Sequence, residues 1–146
     1  MPTIRTECLI PAPPDKVWGV LADFARYREW NPLNIEARGQ ALPGAKVAMT
    51  FLNLAGRPGS TVRQTVTLAA CEPGRELAWR GVVPLLFHGR HGFVLTPEDG
   101  GTRVVQTEAL WGLLPAIWGA GKLERDFRPH YAAVDRALAA RVEALA

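Results

Sequence analysis

Ile4, Thr6, Cys8 and Ile10 alternate with Arg5 and Glu7, the period of a half-buried strand. Pro11, Pro13 and Pro14 end it. Proline is accepted in the first turn of a helix, and Asp15 there suits the positive end of the helix dipole. Val17, Trp18, Leu21 and Ala22 then form a helical apolar stripe. Asp23 is placed to cap a second short helix carrying Phe24 and Tyr27. Asn31-Pro32 ends that helix, because the residue before a proline avoids the helical region.

From Leu33 to Trp111 the chain alternates strand and turn. Pro43-Gly44, Gly56-Arg57-Pro58-Gly59, Glu72-Pro73-Gly74, Val83-Pro84 and Asp99-Gly100-Gly101 are turn signals. Between them lie Val47-Met49-Phe51, Val62-Gln64-Val66-Leu68, Leu77-Trp79-Gly81, Phe93-Leu95 and Val104-Gln106-Glu108-Leu110, which is the pattern of an antiparallel meander. Trp111 to Trp118 reads as an apolar segment broken by glycine and proline, either plain core or a lid. Phe127, Tyr131, Val134, Leu138, Val142 and Leu145 recur at steps of three and four, the stripe of a long helix. Pro129 would kink a helix interior, so the main helix starts near Arg128, or a bent one begins near Lys122.

The order is strand, two short helices, six strands, long helix. An antiparallel sheet with one apolar face must cover that face, and the terminal helix is the only available cover. One helix cannot fill the concave side of about seven curved strands, so an internal cavity is expected. At 146 residues the chain is expected to be one domain, 1–146, with no disulfide staple needed.

Several of these stretches resemble the START-like, or helix-grip, superfamily (SRPBCC), in particular its polyketide cyclase/dehydrase-like branch. They are Ile10-Pro11-Ala12-Pro13, Val17-Trp18, Asp23, Tyr27, Trp30-Asn31-Pro32, Leu77-Ala78-Trp79, His91-Gly92-Phe93-Val94-Leu95, Gly100-Gly101-Thr102-Arg103-Val104, Glu108 and Gly112. The resemblance implies an α+β fold in which a curved antiparallel sheet wraps a long C-terminal helix around an apolar cavity. Its members include cyclases, hydroxylase subunits, lipid and hormone binders and chaperone stimulators, and it offers no universal catalytic residue to transfer.

Composition narrows the functions. The net charge is +3, and fourteen of the seventeen basic residues are arginine, interspersed with acids. With no basic run, nucleic acid is not an expected partner. The longest apolar run is far short of the roughly 20 residues of a membrane span. No signal pattern opens the sequence, so a cytoplasmic location is expected. Cys8 and Cys71 have neither metal nor redox spacing and read as buried free thiols. Ser60, the only serine, lies in a turn without a nucleophile elbow. No metal and no cofactor are expected.

Among chemical candidates, His88 and His91 are three apart on a strand and so face opposite ways, His91 inward with Phe93 and Leu95. If Val104, Gln106, Glu108 and Leu110 face inward, Glu108 is a carboxylate in an apolar pocket with a raised pKa. If Val105, Thr107, Ala109 and Trp111 face inward instead, Glu108 is a surface charge. The Asp99-Gly100-Gly101 turn would set His91 opposite Glu108, making these two the catalytic candidates. Phe51, Trp79, Phe93, Gln106, Glu108, Phe127 and Tyr131 are the expected ligand-binding residues. The leading expectation is a carrier or sensor of a small hydrophobic molecule. The alternatives are a cofactor-independent cyclase or dehydratase and a protein-interaction module; a homodimer is compatible with all three.

Overall fold

The N-terminal alternation forms β1 (Thr3–Ile10) in the computed structural model, which describes residues 2–146. Pro14 starts α1 (Pro14–Leu21), which buries Val17, Val20 and Leu21. A 3-10 turn, Phe24–Arg26, runs into α2 (Tyr27–Trp30). Asp23 stands before this turn but does not cap it. Its backbone, at ψ 75°, lies outside the extended geometry that aims a cap at the next N–H groups, and its carboxylate pairs with Arg26 at 3.2 Å instead. Beyond α2, Asn31 Oδ1 accepts the N–H groups of Leu33 and Asn34, both at 2.9 Å, and turns the chain around Pro32.

Six further strands follow: β2 (Glu36–Arg38), β3 (Lys46–Leu52), β4 (Thr61–Glu72), β5 (Glu76–Val83), β6 (Phe87–Glu98) and β7 (Gly101–Trp111). All pairs are antiparallel, in the order β1-β7-β6-β5-β4-β3-β2. β4 shifts register against β5 between Leu68 and Ala70, a bulge that helps the sheet curl.

The segment after β7 is more regular than its glycines and proline suggest. α3 spans Leu113–Lys122, with Pro115 in its first turn, where a missing N–H costs little. Gly119 breaks it with φ 78° and ψ 163°, a conformation open chiefly to glycine. A π turn, Leu123–Phe127, leads into α4 (Arg128–Ala144). The main helix thus starts at Arg128, and Pro129 falls in its first turn. Tyr131, Val134, Leu138 and Val142 are buried against the concave face, whereas Leu145, expected in the stripe, lies past the end of α4 and is exposed. Asp135 takes a place in the buried stripe instead.

This is a helix-grip fold: a seven-stranded antiparallel sheet with a long C-terminal helix packed on it and two short helices after β1. Phe24 and Tyr27 close one side, their rings 5.3 Å apart and Phe24 packed edge-on against Trp79. The Tyr27 hydroxyl donates to Leu21 O at 2.6 Å, so this deeply buried phenol meets its hydrogen-bond need.

Because α4 is the sheet's main cover, Leu138, which is fully buried, should matter greatly. Leu138→Ala is expected to cost about 2–5 kcal/mol in urea denaturation. An unchanged denaturation midpoint would mean that α4 does not carry this core.

Candidate functional site

Between the concave face and α4 lies a cavity of about 110 Å³. Alternate positions point inward along each strand, so β5 supplies Trp79, β6 His91, and β7 Glu108 and Leu110. Phe51, at the end of β3, and Asn34, after α2, form one side, and Tyr131 enters from α4. Three rings close one end. Trp118 of α3 sits 6.2 Å from Phe87 and 5.5 Å from Phe127. Gly81 and Gly89 are cross-strand partners on the same wall. A Cβ on Gly81 would stand 2.6 Å from Gln64 Oε1, and one on Gly89 would stand 3.0 Å from the Phe87 ring. The paired glycines therefore let those two side chains lie across the sheet.

One polar network sits behind this cavity. Gln106 Nε2 donates to Tyr131 O and to Asp135 Oδ1, each at 2.9 Å, with Thr6 Oγ1 at 3.3 Å. Those acceptors fix the amide orientation, so Gln106 Oε1 faces His91 Nε2 at 2.7 Å and accepts a hydrogen bond from its N–H. Trp79, Phe93 and Tyr131 surround the imidazole, with ring centroids 4.8, 5.1 and 5.1 Å away. Burial pulls the His91 pKa down to about 4 against the smaller opposing effect of the Gln106 hydrogen bond. The imidazole is neutral at physiological pH.

Glu108 is buried next to this network but outside it. Its Oε1 accepts the Tyr131 hydroxyl at 3.1 Å. Its Oε2 is buried and has no hydrogen-bond partner among the described residues. Burial lifts the Glu108 pKa to about 8, opposed only by the Tyr131 bond. The carboxyl is therefore mostly protonated at neutral pH. Burial also raises the Tyr131 pKa well above its usual value, and Glu108 adds to that shift. Asp135 is raised too, by burial, against hydrogen bonds from Thr6 and Gln106.

Phe51, Trp79, Glu108, Phe127 and Tyr131 lie on the cavity wall, as does His91. Two expected ligand-binding residues do not. Phe93 packs behind the wall at 5.9 Å from Trp79, filling core, and Gln106 is consumed in tying β7 to α4. His91 and Glu108 are Cα partners in the β6–β7 ladder, yet no hydrogen bond joins them among the described residues. The imidazole leans to the amide, and the carboxyl leans to the phenol. Asn34, Leu110 and Trp118 also line the cavity, and Asp135 completes the network behind it. Of these, Leu110 shares the parity of Glu108, and Asp135 lies one helical turn after Tyr131; both positions carried a signal. His88 stacks on Trp111 at 5.4 Å, away from the cavity. His130 is half-buried off the wall, and Glu124 and Asp126 are in ion pairs near the surface. Cys71 is a buried free thiol; Cys8 is only half-buried, its pKa pushed up to about 12 by burial and by Asp135.

The family model for polyketide cyclase / dehydrase and lipid transport matches residues 1–143. The chain belongs to that family. Its fold is similar to that of a protein from Thermus thermophilus, with TM-score 0.77, 22% identity and 99% of each chain covered. It is similar to the Zhui aromatase/cyclase from Streptomyces sp. R1128, with TM-score 0.72 and 20% identity, covering 97% of this chain and 93% of that one. Ara h 8.0201 shows the same fold at TM-score 0.71 and 14% identity, with 97% of each chain covered. No curated protein matches the chain. The resemblance carried by the proline-stopped first strand and the glycine-turn hairpin is thus borne out for family and fold. No group of three or more His, Cys, Asp or Glu among the described residues is placed to hold a metal ion. No helix among them is long and apolar enough to cross a membrane.

Gln106→Leu leaves the buried His91 N–H without its acceptor and takes one hydrogen bond each from Asp135 and from Tyr131 O, Asp135 keeping that from Thr6. It should cost at least about 2 kcal/mol in denaturant unfolding, more than the loss of one ordinary hydrogen bond. A cost of a few tenths would show that the clamp does not hold α4.

The two shifted groups also set opposing pH dependences. His91, lowered when folded, withdraws stability as pH falls from its unfolded value of about 6.5 toward about 4. Glu108, raised when folded, withdraws stability as pH rises from about 4.5 toward about 8. The two slopes cancel between about pH 4.5 and 6.5. Above that range Glu108 dominates, at up to about 1.4 kcal/mol per pH unit. The stability difference between Glu108→Gln and the parent, measured at a series of pH values, should grow in favour of the variant up to about pH 8. A flat difference would mean that Glu108 ionises freely in the fold.

Proposed function

We propose that this chain is a ligand-binding domain that holds a small, apolar molecule between sheet and α4, as a carrier or sensor. The observation behind this reading is the cavity, walled by Phe51, Trp79, Trp118, Phe127 and Tyr131, with Asn34, Asn53, Gln64, His91 and Glu108 as further polar groups on its lining. Its volume bears on the size of the ligand. An engineered cavity of about 150 Å³ takes benzene, while sites for drug-sized ligands run to roughly 300–1,000 Å³. At about 110 Å³ the cavity suits a molecule of about one ring. A multi-ring guest would have to part Phe87, Trp118 and Phe127. A dry, filled interface between sheet and α4 would have favoured a module acting through its surface, and the cavity there speaks against it.

A cyclase or dehydratase activity draws support from Glu108, whose raised pKa suits a general acid near neutral pH. Such a reaction also needs a base. His91 is a weak base, because burial holds its pKa down to about 4, and its Nε2–H is engaged by Gln106. The carrier reading requires no such partner and is preferred.

Toluene, a one-ring apolar probe, tests it. At a hundredfold excess over its dissociation constant it should stabilise the fold by about 2.7 kcal/mol and change the fluorescence of Trp79 and Trp118. Val66 lines the cavity, so Val66→Phe should fill it and abolish both effects while leaving a cooperative melt. A parent protein unmoved by saturating toluene would remove the cavity as a binding site.

A further inference from the structure

We propose that the cavity selects an uncharged ligand bearing a carbonyl oxygen, and that the Glu108 carboxyl donates the hydrogen bond that binds it. This rests on the ligand-binding reading and names the chemical class.

Glu108 presents two oxygens with different fates. Oε1 receives the Tyr131 hydroxyl, and Oε2 is buried without a partner. With Oε1 acting as acceptor, the proton of the neutral acid belongs on Oε2. A buried donor left unmet costs roughly 1–3 kcal/mol, so a guest that satisfies it gains that much over one that cannot. No protein group among the described residues meets it. His91 turns its Nε2–H to Gln106 Oε1 and makes no hydrogen bond to Glu108, and Ile4, the β1 residue opposite Glu108, is apolar. The missing partner is an acceptor oxygen on the ligand.

Ligand charge is decided by the wall. No lysine or arginine lies among the residues lining the cavity. A carboxylate or phosphate would enter without a counter-charge, next to an acid that would have to stay protonated. A fatty-acid headgroup is therefore a poor guest. A ketone or aldehyde carbonyl offers a strong acceptor with no charge to desolvate.

The titratable groups around Glu108 are Tyr131 from α4, His91 from β6 and, behind Gln106, Asp135 from α4; β5 contributes the uncharged Trp79. Tyr131 stays protonated and His91 stays neutral through the range in which Glu108 titrates. Carbonyl binding should therefore weaken as pH rises past about 8.

The test uses four one-ring probes: acetophenone, its apolar counterpart isopropylbenzene, the anion benzoate and the cation benzylamine. Affinities are measured by calorimetry near pH 6 and near pH 9. Acetophenone should bind tightest near pH 6 and roughly tenfold more weakly near pH 9, where the acid is mostly ionised. Isopropylbenzene should bind more weakly and show little pH dependence. Glu108→Gln supplies an amide donor at either pH, so the acetophenone affinity should no longer change with pH. Glu108→Leu should reduce acetophenone to the affinity of isopropylbenzene. Equal affinity for acetophenone and isopropylbenzene at both pH values overturns the proposal and leaves the cavity reading standing. Benzylamine binding tightest, and more tightly as pH rises, overturns it in favour of a carboxylate that pairs with a cation. Tightest binding of benzoate also overturns it. Binding of none of the four defeats the ligand-binding reading itself, and the proposal with it.

Discussion

The Gln106 side chain ties α4 to the sheet. Its amide nitrogen reaches the backbone and side chain of α4 through Tyr131 O and Asp135 Oδ1, and its oxygen accepts a hydrogen bond from His91 Nε2 on β6. β1 joins through Thr6. Four elements thus meet at one amide in a buried setting, where leaving any partner unpaired is costly. With the helix held there, the aromatic side chains of β5, β6 and α4 pack around His91. The space toward Phe51 and Trp118 is left as a cavity.

The same clamp determines the chemistry available in that space. Gln106 holds the Nε2 side of the imidazole, and no hydrogen bond joins His91 to Glu108 among the described residues, although the two are paired across the β6–β7 ladder. Glu108 is left with the Tyr131 hydroxyl and no cation, so burial keeps it protonated. A protonated acid in an apolar wall is a hydrogen-bond donor in search of an acceptor. The two candidates for catalysis, His91 and Glu108, thus hold separate hydrogen-bond partners.

The fold was legible because its signals repeat. Two-residue alternation survives through β7, where Val104, Gln106, Glu108 and Leu110 are all buried, and one parity choice places four side chains at once. The turn at Asp99 to Gly101 sets the register that brings His91 opposite Glu108. What escaped was set by rotamers and by short or interrupted pieces. Register gives the Cα partner but not the direction in which an imidazole leans, so the preference of His91 for Gln106 could not be read. Phe93 shares the inward parity of His91, yet parity does not separate a cavity wall from packed core. β2 has only three residues, too few for a pattern. α3 was hidden by Pro115, harmless in a first turn, and by Gly119, which breaks the helix only near its end. Asp135 fits the stripe of α4 by spacing, but a carboxylate in an apolar stripe is recognisable only when its partner on another strand is known.

The central claim is that the cavity wall carries a neutral carboxyl group, and NMR observation of the Glu108 side-chain carboxyl carbon during a pH titration tests it most directly. The account predicts a midpoint near 8, with the acid form dominant at neutral pH. A midpoint near the ordinary glutamate value of about 4.3 would contradict it, because Glu108 would then be ionised and solvated rather than a donor in an apolar site.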